Sequence, residues 1–261
     1  MPTVAAVPRE IEVTMPASSR QATEALRDAP GILVVGGATI VMPALSSGAL
    51  RPDRVMLLTR AGMGGIERDG DRVRVGATTT LAELTGMPEP LAGALAGVAD
   101  GEIRGQATIA GNLCAGPGRD APRGDLQGPL IALAAVVHWT DGETERRDRV
   151  EQFLAAPPRP RLVLAIELRR PERGAFAALR RPHSHGYTTL AVSAAVGHNG
   201  ELRLAATGLG PHGVRLRSAR EPVPVAVEPV PATDAIASDW YRREMVPVLV
   251  RRCLRQLELD A

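Results

Sequence analysis

The groups best placed to do chemistry in this chain are backbone groups, not side chains. Gly36-Gly37 follows the apolar run Ile32-Leu33-Val34-Val35 and precedes Ala38-Thr39-Ile40. A short buried strand, a paired-glycine break and the start of a helix together make a cradle for an oxyanion. Glycine lets the main chain approach the ligand, and free N–H groups at the turn point at it. A phosphate or pyrophosphate suits such a cradle. The same residues also fit an ordinary tight turn between two core elements.

A second unusual stretch is Gly101–Arg123, GEIRGQATIAGNLCAGPGRDAPR. It is rich in Gly, Pro and small residues and has little periodicity. Long loops inside compact domains are usually functional or disordered. Its middle, Ala107–Leu113, is apolar, which favours an ordered loop packed against a ligand. Side chains offer less. There is no Ser/His/Asp spacing, no paired carboxylates and no cysteine-rich metal motif. Cys114 reads as a small buried residue. His183-x-His185 puts two imidazoles on one side of a strand, with no third metal ligand in view. Arg119, Asp120, Arg123 and Asp125 fit either a solvated, ion-paired loop or a gate beside a sugar.

Several elements can position these stretches. Residues 1–17 hold a strand-like IEVTM, and Ser18 or Ser19 can cap a helix to about Ala29. Arg54–Leu58 is a second buried strand. Asp69-Gly70-Asp71 sits between two alternating runs and predicts a hairpin. Thr80 with Glu83 suggests a capped short helix. Pro88–Ala99 reads as a helix, Leu126–Val137 as a helix running into a strand, and Arg147–Ala155 as a helix. Leu162–Leu168 is a buried strand. Further strands are expected at Ala175–Leu179, Thr188–Val196 and Glu201–Thr207, the last two joined by an Asn199-Gly200 turn. The Pro-Val run Glu221–Thr233 reads as extended. Asp239 could cap a closing helix, Trp240–Leu257, with Met245, Val248, Leu249, Cys253 and Leu254 on one stripe and Arg242, Arg243, Arg251 and Arg252 largely outside it.

Bulk properties narrow the class. The 261 residues suit two ordinary domains or one large one. Aromatics are scarce and the net charge is only +2, so neither base stacking nor a basic stripe argues for nucleic acid. No apolar run is long enough to span a bilayer and no secretory leader is evident, which makes a cytoplasmic protein the expectation.

The order of these features resembles the FAD-binding (medium) subunit of the molybdenum hydroxylases, relatives of carbon monoxide dehydrogenase and xanthine dehydrogenase. Val35-Gly36-Gly37-Ala38-Thr39 is similar to the family's A-G-G-x-[ST] loop. Arg104 to Asn112 (RGQATIAGN) is similar to R-x-x-[AG]-T-[IV]-G-G-N. Thr78-Thr79-Thr80-Leu81 and the Tyr241-Arg242-Arg243 helix match two further family motifs. The resemblance implies an α+β chain. It would comprise a p-cresol methylhydroxylase-type FAD-binding domain at 1–172, with lobes of about 1–57 and 58–172. A smaller domain at 173–261 would pair a three-stranded antiparallel sheet with a helix. It also implies that Val35, Gly36, Gly37, Ala38, Thr39 and Ile40 bind the FAD pyrophosphate. Thr108, Ala110, Gly111 and Asn112 would face the flavin and pyrophosphate from the other side, Asp125 the ribose, and Tyr187 the isoalloxazine. Partners implied are an iron–sulfur small subunit with [2Fe–2S] clusters and a molybdopterin large subunit, assembled as a dimer of heterotrimers. The function implied is electron transfer through FAD to an external acceptor. A stand-alone FAD oxidoreductase and an FAD-free structural subunit are the alternatives.

Four departures from the family pattern stand out, the first an extra Arg-rich loop, Arg119–Gly124, just before Asp125. Ala110 replaces a glycine, which would cost on the order of 1 kcal/mol if its φ were positive. Val55-Met56-Leu57-Leu58 lacks a common aspartate. Glu221–Thr233 replaces an expected helix.

Overall fold

The computed structural model describes residues 10–116, 124–157, 160–179, 188–216, 233 and 236–259. Its first layer is a parallel sheet of three strands, β1 (Glu12–Thr14), β2 (Leu33–Val35) and β3 (Arg54–Leu57), in the order β1-β3-β2. The crossover from β1 to β2 is α1 (Ser19–Asp28). Ser18 caps it by accepting the Gln21 N–H at 3.2 Å, and Ala22 and Leu26 are its buried residues. After β2 the chain turns at the glycine pair into α2 (Val41–Ser46), which buries no residue fully.

The second layer is an antiparallel sheet of five strands. They are β4 (Ile66–Asp69), β5 (Arg72–Gly76), β6 (Val136–Thr140), β7 (Glu145–Arg149) and β8 (Leu162–Arg169), in the order β4-β5-β8-β6-β7. Alternation gives it two faces. Val73, Val75, Val137, Trp139, Ile166 and Leu168 are buried in the main core. Arg74, Glu167, His138 and Arg147 project from the other face, where Arg74 pairs with Glu167 and His138 with Arg147 in register. Short helices supply the rest of the core: α3 (Leu91–Leu95), α4 (Gly101–Gln106), α5 (Ile109–Leu113), α6 (Gln127–Ala132) and α7 (Val150–Ala155).

The last unit is an antiparallel sheet of four strands, β9 (Arg173–Leu179), β10 (Leu190–Val196), β11 (Leu202–Thr207) and β12 (Val214–Leu216), in the order β12-β11-β10-β9. Leu190, Val192, Ala194 and Val196 pack with Val246, Leu249, Val250 and Cys253 of the closing helix α8 (Asp239–Gln256) in a second core. The opposite face lends Ala195 and Ala205 to the main core. No helix among the described residues is long and apolar enough to cross a membrane.

Several expectations are corrected. The last sheet has four strands, not three, because Val214–Leu216 adds an edge strand too short to show alternation. The stretch after Gly101 forms two helices, not a loop, each started by a side-chain cap: Asp100 accepts from Ile103 N–H (2.8 Å) and Thr108 from Gly111 N–H (3.1 Å). Residues 145–149 form a charged edge strand, and helix begins only at Val150. The helix expected over 88–99 is confined to Leu91–Leu95. Ser238, not Asp239, caps α8. Its buried stripe runs through Arg242, Val246, Leu249, Val250 and Cys253, so Arg242 lies inside rather than outside, at 0% exposure. Arg242 Nε donates to the Thr189 carbonyl at 3.4 Å. The His183-x-His185 pair, Tyr187, Arg119–Arg123 and residues 221–232 lie outside the described residues.

Candidate functional site

β2 delivers the chain to the first loop, and the loop's geometry follows from what it touches. A Cβ built on Gly36 would lie 2.7 Å from Thr108 Oγ1. One on Gly37 would collide with the Gln106 carbonyl and lie 2.9 Å from Ala107 Cα. Both glycines are therefore required where the first loop abuts the second, quite apart from any ligand. Ala38 then takes a left-handed conformation, φ +60°. Its carbonyl accepts the Met42 N–H (2.9 Å) and starts the turn into α2. Among the described residues, the N–H groups of Gly36, Gly37, Ala38, Thr39 and Ile40 have no acceptor. Consecutive N–H groups without a protein acceptor around a left-handed residue are the kind of backbone that can cradle an anion.

The second loop behaves differently. Its N–H groups are spent internally: Ile109 on Thr79 O (3.0 Å), Ala110 on Ala77 O (3.2 Å), Gly111 on Thr108 Oγ1 (3.1 Å) and Asn112 on Thr108 O (2.9 Å). From Ile109 to Asn112 it offers shape and side chains rather than main-chain donors. Asn112 Oδ1 accepts from Leu126 N–H (3.0 Å), which holds the turn carrying half-buried Asp125 beside α5. Thr108 also forms a β-bridge with Thr80. The Thr80 hydroxyl and N–H both donate to Glu83 Oε2 (2.7 Å each), which holds that carboxyl below its usual range.

The structure thus brings Val35–Ile40 and Thr108–Asn112 together, with Asp125 at the far end of α5. Ala110 lies within α5 and is not among the positive-φ residues, so the alanine there carries no backbone strain. Its side chain packs on the main core. Cys114 is exposed, not buried as the sequence suggested. Two residues went unnoticed in the sequence. Gln106 presents its carbonyl to Gly37, and Gln127, buried next to Leu126, bonds to both ends of the surrounding structure. Neither carries a local signal, because both act through contacts remote in sequence. Among the described residues no group of three His, Cys, Asp or Glu side chains could hold a metal ion.

Residues 9–169 match the family described as the FAD binding domain in molybdopterin dehydrogenase. The chain belongs to that family. Solved structures agree at the level of fold. Carbon monoxide dehydrogenase from Oligotropha carboxidovorans superposes with a TM-score of 0.81 at 21% identity, covering 98% of this chain and 100% of that one. The carbon monoxide dehydrogenase from Hydrogenophaga pseudoflava that lacks the Mo-pyranopterin moiety gives 0.81 at 20% identity, with the same coverage of 98% and 100%. Quinoline 2-oxidoreductase from Pseudomonas putida 86 gives 0.78 at 17%, covering 95% and 97%. No functionally curated sequence is significantly similar to the chain. Family membership makes this chain an FAD-binding oxidoreductase of the molybdenum hydroxylase type.

The residues present fit that cofactor. A diphosphate is an acceptor-only anion, and the run Gly36–Ile40 offers it N–H donors that have no acceptor among the described residues. Ile40 (41%) and Met42 (53%), at the end of that run and just beyond it, are exposed apolar residues.

Proposed function

We propose that this chain is the FAD-carrying electron-transfer subunit of a heteromeric molybdenum hydroxylase. When bound, FAD supplies the chemistry: it takes electrons delivered by [2Fe–2S] clusters of a partner subunit and passes them to an external acceptor. The chain's own residues bind and orient. Gly36, Gly37, Ala38, Thr39 and Ile40 hold the diphosphate through main-chain N–H groups. Thr108 and Asn112 shape the opposite wall, Ala110 and Gly111 keep it low, and Asp125 faces the ribose. Tyr187 is assigned to the flavin by family resemblance alone.

The observation that carries this reading is the run of unspent donors at Gly36–Ile40 set against a second loop that spends its donors from Ile109 to Asn112 within the protein. The free cysteines Cys114 and Cys253 suit a reducing, cytoplasmic setting. The helical backbone of Ala110 removes the strain that would have favoured an FAD-free subunit. An iron–sulfur small subunit and a molybdopterin large subunit, in a dimer of heterotrimers, complete the assembly.

The test is co-expression with candidate partner chains, followed by purification, a visible spectrum and metal analysis. Flavin bands with co-purifying iron and molybdenum are expected. A colourless complex, or flavin turnover of an organic substrate by the lone chain, would overturn the proposal.

A further inference from the structure

Gln127 opens α6 and is 1% exposed. A primary amide carries donors and an acceptor, and burial obliges them to find partners. Its Nε2 donates to the carbonyls of Leu113 (2.8 Å) and Ala115 (3.2 Å), and its Oε1 accepts the Gly213 N–H (2.6 Å). These partners belong to different parts of the molecule. Leu113 ends α5, whereas Gly213 precedes β12 in the C-terminal sheet. One residue on, Gly128 N–H donates to Thr207 Oγ1 of β11 (3.0 Å), across the same junction but without touching α5.

The other end of α5 carries Thr108 and Gly111, the wall against which Gly36 is set. A helix of five residues is a stiff rod about 7.5 Å long, so a shift at Leu113 reaches Thr108. A residue that only filled space at this junction would have no need of an amide. An apolar side chain there would leave two carbonyls and an N–H unpaired.

We propose that Gln127 is a positioning residue that ties the C-terminal sheet to α5, so that the C-terminal unit sets the placement of the second FAD loop. The proposal rests on the FAD reading above. The amide bonds to the end of α5 and to the strand-leading Gly213 at once, so a displacement of the C-terminal sheet reaches the second loop through it.

The test uses the full chain in three forms, Gln127→Leu, Gln127→Glu and Thr207→Val. FAD affinity is read by flavin fluorescence titration, and individual amides by hydrogen exchange. With Gln127→Leu, exchange at Gly213 and across Ile109–Leu113 should accelerate together, and FAD should bind about tenfold more weakly. Gln127→Glu keeps the acceptor and loses the donors, so Gly213 should stay protected while α5 opens. Thr207→Val should leave FAD affinity and α5 exchange within about twofold of the parent. The proposal is overturned if Gln127→Leu leaves α5 exchange and FAD affinity unchanged, or if Thr207→Val moves them equally. If Gln127→Leu does not fold, the contrast between the other two variants decides in the same way. If the parent takes up no FAD, the FAD reading fails, and the exchange at α5 still decides the coupling.

Discussion

Gly37 and Ala38 are neighbours with opposite demands. Gly37 has no room for a side chain, because Gln106 and Ala107 occupy the space. Ala38 has room but holds a left-handed backbone at φ +60°, which costs an alanine about 1 kcal/mol relative to the ordinary region. The two should therefore respond in opposite directions. Gly37→Val should drive the first loop off the second, abolish FAD retention and cost roughly 1–3 kcal/mol, with unfolding still cooperative. Ala38→Gly should keep FAD and raise stability by about 0.5 kcal/mol, the relief of strain exceeding the extra backbone entropy of glycine. Flavin content after gel filtration and thermal melts read both. A Gly37→Val protein with full flavin occupancy would mean the diphosphate lies elsewhere.

At the scale of elements, the five-stranded sheet carries a titratable group on its polar face. His138 of β6 is buried and sits 3.4 Å from Glu167 of β8. Burial is the main cause that lowers its pKa. Arg74 and Arg147 lower it further, and Glu167 opposes them. A histidine held neutral in the fold takes up its proton more readily when unfolded. Below about pH 6.5, the ordinary imidazole value, the unfolded chain binds a proton that the folded chain resists. Stability is therefore full above that value and falls as the pH drops beneath it. Melts between pH 7.5 and 5.0 should show this loss, and His138→Phe should flatten it. A variant with the parent's acid limb would remove His138 from the account.

The same scale shows what sequence can and cannot convey. The Ser18 cap, the Asp69-Gly70-Asp71 hairpin and the Thr80/Glu83 capping box are local, each spanning a few residues, and each was legible. The helices α4 and α5 were not, because Gly101, Gly105 and Gly111 mask their periodicity, and only the caps Asp100 and Thr108 betray them. β7 was hidden because five charged or polar residues on an edge strand show no apolar alternation. Arg242 looked solvated because a charge on a helix usually is. Its burial comes from packing over β10, which no local pattern shows.

For the whole molecule, the two glycine-bearing loops were legible as a pair, but not the division of labour between them. Sequence gave both loops similar weight. Among the described residues, the first loop's N–H groups find no acceptor, while Ile109–Asn112 of the second spend theirs on Thr79, Ala77 and Thr108. That difference depends on the second loop docking beside β5 and the turn after it, a tertiary event. The junction at Gln127 depends on Gly213, far along the chain, and was equally invisible. Family resemblance supplied the cofactor, while the geometry supports the proposal that one loop holds it and the other shapes it.

Residue-resolved amide exchange, with and without saturating FAD, tests that division most directly. If the diphosphate rests on the first loop, FAD should slow exchange at Gly36, Gly37, Ala38, Thr39 and Ile40 by about tenfold or more. Ile109–Asn112, already bonded within the protein, should change little. FAD bound with those five amides still exchanging freely would contradict the account.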